Sequence, residues 1–195
     1  FGSDSVFGRK RGRGFSRNLR MRGEDIESVL EVTIEEAFKG AEKVVSIRGS
    51  NKDRKISLKI PAGIMPGEKI KLTGQGGQGI NGGENGDLYL KVEFKKNGSY
   101  ELEGLNIVTP IELYPWESAL GSEVTVNTLD GKIIVKIPAG IKTDSRIRVP
   151  GKGYRDKTGK RGDLFLKVRL VNPEYLTREQ LELYKKLMEI SPSHR

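Results

Sequence analysis

The side chains that usually carry catalysis are nearly missing from this sequence. Among 195 residues there is no cysteine, and the one histidine, His194, stands beside the C-terminus. Thiolate nucleophiles, disulfides, Ser-His-Asp triads and His/Cys zinc sites are therefore out of this chain's reach. The carboxylates are scattered singly beside lysines and form no acid–base pair. No catalytic residue, metal ligand or cofactor is assigned, and the chain reads as a non-enzyme. One stretch imitates a nucleotide loop. Gly74-Gln75-Gly76-Gly77-Gln78-Gly79 satisfies G-x-G-x-x-G, but a dinucleotide site needs a helix to open directly behind it. Here Ile80-Asn81-Gly82-Gly83-Glu84-Asn85-Gly86 follows, which is a turn, so these glycines are read as positive-φ positions in a hairpin.

The remaining chemistry is charge. The net charge of +9 is concentrated at the start. Arg9, Lys10, Arg11, Arg13, Arg17, Arg20 and Arg22 stand against Asp4 alone, leaving only +3 for the rest of the chain. Residues 1–23, rich in Gly and Arg with isolated Phe1, Phe7 and Phe15, have too little apolar content to offset the entropy of ordering and are predicted to be a disordered linker. The same segment could serve as a basic arm for nucleic acid. The chain opens on Phe1 without a secretory signal and is read as part of a longer protein. No apolar run approaches the roughly eighteen residues of a membrane span. A reducing compartment, and hence a cytoplasmic location, fits the absence of cysteine.

The elements that must position any site are written twice. Ile60-Pro61-Ala62-Gly63-Ile64 returns unchanged as Ile137-Pro138-Ala139-Gly140-Ile141, and Gly86-Asp87-Leu88 returns as Gly162-Asp163-Leu164. More faintly, Glu36-Ala37-Phe38-Lys39-Gly40 is echoed by Glu117-Ser118-Ala119-Leu120-Gly121. A repeat of this length means two related units in tandem. Within each, apolar residues alternate with period two. Leu30, Val32 and Ile34 share a strand face, and Lys43, Val45 and Ile47 share another. Further strands centre on Ile56–Ile60, Ile70–Leu72 and Leu88–Phe94, then on Leu105–Leu113, Val124–Val126, Ile133–Ile137, Ile147–Val149 and Leu164–Val168. Pro110 suggests an edge or bulged strand, and Trp116 is expected in the core beside Ala119 and Leu120. The predicted fold is mainly β: two tandem homologous β-sandwich-like subdomains, 24–97 and 98–175, with a hinge at 95–104, followed by a C-terminal α-helix in 176–195. Thr177 and Gln180 form a capping box for that helix. Leu181, Tyr184, Leu187 and Met188 give it an apolar stripe, widened by Leu183 and Ile190, that suits either docking back onto the second unit or, the favoured reading, self-association.

These motifs, together with Lys71-Leu72-Thr73-Gly74-Gln75-Gly76 and Tyr114-Pro115-Trp116-Glu117-Ser118-Ala119-Leu120-Gly121, resemble the C-terminal region of DnaJ-type J-domain co-chaperones over about residues 24–190. The chain is similar to the class without a zinc-binding domain, since only the turn Gly49–Arg54 stands where relatives carry Cys-x-x-Cys repeats. The resemblance implies a homodimer that holds unfolded polypeptide during protein folding and stress response and passes it to a DnaK-type chaperone. The J-domain itself is absent. It also places a client groove on Leu30, Val45, Ile47 and Leu90, with Lys43 at the rim. On alternation alone, Val45 and Ile47 read as ordinary core residues. Binding of DNA through the basic arm is the alternative function.

Overall fold

A computed structural model describes residues 19–47, 54–96 and 99–191. Most of the arginine-rich segment, most of the predicted turn Gly49–Arg54, and His194 lie outside the described residues. Six elements follow one another twice. The first set is β1 (Ile26–Val32), α1 (Ile34–Lys39), β2 (Ala41–Ile47), β3 (Arg54–Ile60), β4 (Lys69–Leu72) and β5 (Leu88–Phe94). After β6 (Glu101–Glu103) comes the second: β7 (Asn106–Leu113), α2 (Pro115–Leu120), β8 (Ser122–Thr128), β9 (Gly131–Ile137), β10 (Arg146–Val149) and β11 (Leu164–Leu170). The C-terminal helix α3 spans Arg178–Ile190. Each set makes one sheet, ordered β1-β5-β4 or β10-β11-β7-β6, and one two-stranded ribbon, β2-β3 or β8-β9. The fold is mainly β, as predicted. By contacts the chain forms two compact units, one of residues up to Leu30 with Lys69–Lys91, the other of Glu31–Glu68 with Val92 onward.

In the first unit, the β4–β5 hairpin pairs Lys69 with Lys91 through Leu72 with Leu88. Its glycine-rich loop corrects the sequence reading. Of the glycines from 74 to 86, only Gly74 and Gly82 have positive φ. The others admit another piece of backbone. Gly23 N–H donates to the Glu84 carbonyl, Gly77 N–H to that of Glu24, and Met21 and Ile80 exchange both bonds. A Cβ on Gly83 would sit 2.0 Å from the Met21 carbonyl oxygen, and one on Gly86 2.1 Å from that of Glu24. Asp87 holds the loop from inside. Its Oδ1 accepts from Gly74 N–H at 2.9 Å, and its Oδ2 lies 2.9 Å from both Lys71 and Arg22. The repeat copies the clamp, with Asp163 accepting from Gly151 N–H and pairing with Arg148. This explains why Gly-Asp-Leu is written twice.

In the second unit, the repeated Ile-Pro-Ala-Gly-Ile acquires a cause. Gly63 and Gly140 adopt φ of 77° and 75°. Each N–H then satisfies a carbonyl in the short helix before it, Ala37 for Gly63 and Ser118 for Gly140, both at 2.8 Å. Residues with a Cβ rarely hold that φ. Strand β1 ends earlier than its alternation suggests. Thr33 accepts from Glu36 N–H and Glu36 accepts from Thr33 N–H, a capping box that starts α1, so Ile34 is buried from a helix. The second sheet runs β7 parallel to β11, with Leu164 opposite Ile107 and Leu170 opposite Leu113. Strand β6, predicted as hinge, covers β7 only as far as Val108. Pro110 lies beyond that cover, where its missing N–H costs no ladder bond. Leu113, Ile137 and Val168 form a fully buried cluster nearby.

Tyr154 joins the two copies inside this unit. It takes the position that Gly77 holds in the first copy and is completely buried. Its ring lies 5.9 Å from both Phe38 and Phe94, and its hydroxyl donates to the Ile64 carbonyl at 2.6 Å. Burial pushes the phenol well above its usual pKa, so it stays a donor. Lys157 adds an ion pair to Glu68 at 3.0 Å.

Two predictions follow from these contacts. Tyr154→Phe strands the Ile64 carbonyl and should cost about 1–3 kcal/mol, whereas Tyr154→Ala also empties the ring's site and should cost about 3–5 kcal/mol. Urea midpoints equal to wild type would refute this role. For Asp87, the Gly74 N–H, then Lys71, hold the carboxyl below its ordinary value. A depressed folded value contributes stability above the unfolded pKa of about 4 and loses it as pH falls through the folded one. Asp87→Asn should therefore lower the urea midpoint at neutral pH and flatten its decline into acid. An acid limb unchanged by the substitution would count against the clamp.

Candidate functional site

Strand β2 is the element from which the predicted client face is built. It pairs antiparallel with β3 in the register Lys43–Leu58, Val45–Ile56 and Ile47–Arg54, so these residues share one face of the ribbon. The face grades along its length. Leu58 and Ile60 are buried, whereas Lys43, Val45, Ile47 and Ile56 are half-buried. Among the described residues β2 has β3 as its only strand neighbour, and its other edge presents unpaired backbone groups. Lys43 is fixed at that edge. Its Nζ donates to the Glu31 carbonyl at 3.0 Å and to Glu36 Oε2 at 3.1 Å. Burial alone would raise the Glu36 carboxyl, but the Thr33 N–H and the Lys43 ammonium outweigh it and hold it low.

Leu30 and Leu90 differ from this half-buried set in burial. Both are buried, at 3% and 2% exposure, in β1 and β5 of the three-stranded sheet. They fill the core and line no open surface, because each sits on the covered face of its strand. The accessible part of the predicted set is Lys43, Val45 and Ile47. The family resemblance grouped all five, and alternation along each strand does not distinguish covered from uncovered.

A second apolar surface surrounds α3. Its capping box is formed as predicted: Gln180 N–H donates to Thr177 Oγ1 at 3.2 Å, and Thr177 N–H to Gln180 Oε1 at 2.9 Å. Leu181, Leu187 and Met188 are exposed, and Tyr184 is half-buried with its ring 6.3 Å from that of Trp116. Trp116 corrects the sequence reading. At 37% exposure it is outside the core, stacked 4.9 Å from the Tyr114 ring, because Pro115 starts α2 and turns the indole outward. Between α2 and α3 lies a groove of about 540 Å³ lined almost wholly by apolar side chains, including Pro115, Leu120, Leu183 and Leu187. Sequence reading missed α2 as a partner of α3. The adjacency of Pro115 and Trp116 to a short helix was the available signal.

Among the described residues no group of His, Asp and Glu could hold a metal ion, and no helix is long and apolar enough to cross a membrane. Fold and surfaces together define a duplicated β module that offers strand edges and apolar faces to other molecules. Comparison with known proteins narrows the class. The family model described as DnaJ C terminal domain matches residues 26–190, and the chain belongs to that family. It is 37% identical over 196 residues, 95% of its length, to a Curved DNA-binding protein of Pseudomonas syringae pv. tomato. Relatives of the same name from Pseudomonas putida and Coxiella burnetii are 36% and 32% identical over 95% and 97% of the chain. The chain spans 62%, 63% and 64% of the lengths of these three relatives.

Proposed function

We propose that this chain is the part of a DnaJ-type co-chaperone that holds segments of non-native polypeptide for delivery to a DnaK-type chaperone. The observation that carries the reading is the half-buried face of Lys43, Val45 and Ile47 beside the open edge of β2. An extended client adds to the edge through backbone hydrogen bonds and rests apolar side chains on Val45 and Ile47. Burying two or three such side chains gains about 1.5–3 kcal/mol each, against ordering and association costs of at least about 4 kcal/mol. One site therefore binds weakly and releases readily, as a holding module must. Self-association through Leu181, Tyr184, Leu187 and Met188 of α3 gives two sites on one particle, and a client engaged at both gains by effective concentration.

The test combines two variants. Val45→Ser with Ile47→Ser should abolish suppression of client aggregation while the circular dichroism spectrum and solution mass stay those of wild type. Removal of residues 177–195 should halve the solution mass and weaken suppression without touching β2. Full suppression by the folded serine variant would sink the reading.

The names of the relatives favour a second reading, binding of DNA through the basic arm. Its seven cations within residues 1–23 make the binding electrostatic, so affinity should fall steeply with salt and vanish when the arm is removed. Equal DNA binding by the shortened chain would exclude the arm.

A further inference from the structure

The second copy lacks a side-chain tie that the first copy has. Through the repeat, Leu30 corresponds to Ile111, Glu31 to Glu112, Lys43 to Val124 and Val45 to Val126. In the first copy the Lys43 ammonium reaches the Glu31 carbonyl and ties β2 to the end of β1. Valine at 124 has no donor with which to repeat that tie. A groove of about 600 Å³ lies there instead, with residues 109–112 of β7 on one side and residues 123–127 of β8 on the other.

Both walls are strand edges. Strand β6 stops covering β7 at Val108, and β8 pairs with β9 alone among the described residues. The Tyr100 hydroxyl donates to the Asn127 carbonyl at 3.1 Å, capping one end of the β8 edge. That carbonyl therefore points away from β9, and antiparallel pairing turns the backbone groups of Thr125 and Glu123 the same way. On the facing wall Pro110 offers no N–H, so β8 is the wall that can accept a strand. The groove is lined mainly by polar groups, and the half-buried Ile111 and Val124, packed against the core below, supply its apolar part. Glu112 and Glu123 supply charge. They lie opposite Arg169 and Lys136 in their own ladders, yet neither forms an ion pair among the described residues.

We propose that this groove is a second polypeptide site with its own preference: an extended segment alternating apolar and basic residues, added as a strand to β8. Its apolar side chains rest on Ile111 and Val124, and its lysines or arginines meet Glu112 and Glu123. The two carboxylates disfavour a polyanion, so nucleic acid is not the occupant. The proposal rests on the reading of the chain as a client-holding module, but it uses different residues and can fail separately.

The experiment titrates the full chain with a short fluorescent peptide alternating valine and lysine, and with its glutamate counterpart. The lysine peptide should bind about tenfold more tightly or better. It should also slow amide exchange at Thr125 and Asn127. Glu112→Lys with Glu123→Lys, both at exposed positions, should reverse the preference. Val124→Lys, which places a cation in the groove, should weaken the lysine peptide about tenfold, and should that variant not fold, the charge reversal decides alone. Val45→Ser with Ile47→Ser should leave lysine-peptide binding intact, which separates this site from the one on β2. Equal binding of the two peptides, protection at Lys43–Ile47 in place of β8, or an unchanged preference after charge reversal would each overturn the proposal.

Discussion

A two-stranded ribbon cannot stand alone in water, and this chain contains two of them, β2-β3 and β8-β9. Each must bury one face to persist, and each leaves an outer strand edge without a neighbour. Burial is met at the end nearest the short helix, where Leu58 and Ile60, or Ile137, are covered. Away from that end the β2-β3 face is only half-covered, whereas β8 is buried again at Val126 and Thr128. Stability and availability are thus divided along single strands. The gradient that lets a ribbon survive also gives it an edge and an apolar strip on which another chain can rest.

Duplication supplied the scaffold and divergence supplied the differences. The parts that returned unchanged solve backbone problems: glycine at positive φ to satisfy a helix carbonyl, and aspartate to hold a turn from within. The parts that changed alter side-chain contacts, one at a groove and one in the core. Lys43 became Val124, opening a groove, and Gly77 became Tyr154, filling a site in the other copy. A module whose repeated letters hold its backbone and whose altered letters remake its contacts has been reused without being rebuilt.

Much of this was legible in the sequence, and the exceptions have physical reasons. The tandem plan could be read because identical motifs recur at matching places. The capping box of α3 could be read because Thr177 and Gln180 stand three apart ahead of an apolar stripe. The same signal at Thr33 and Glu36 was obscured by period-two alternation running into Ile34, which is buried from either a strand or a helix. The loop glycines were assigned to positive φ because sequence cannot reveal the segment Met21–Glu24 lying against them. Leu30 and Leu90 looked equivalent to Val45 and Ile47 because alternation gives the direction of a side chain but not what covers it. Trp116 was placed inside because of its apolar neighbours Ala119 and Leu120, although Pro115 before it marks a helix start.

The hydrogen bond from Tyr154 to Ile64 joins residues ninety positions apart. On the ribosome, the half containing Phe38 and Ile64 emerges with a vacancy that only sequence made much later can fill. Until then its aromatic pocket and lone carbonyl are exposed to whatever is nearby. The first copy therefore completes its core only after most of the second has been made.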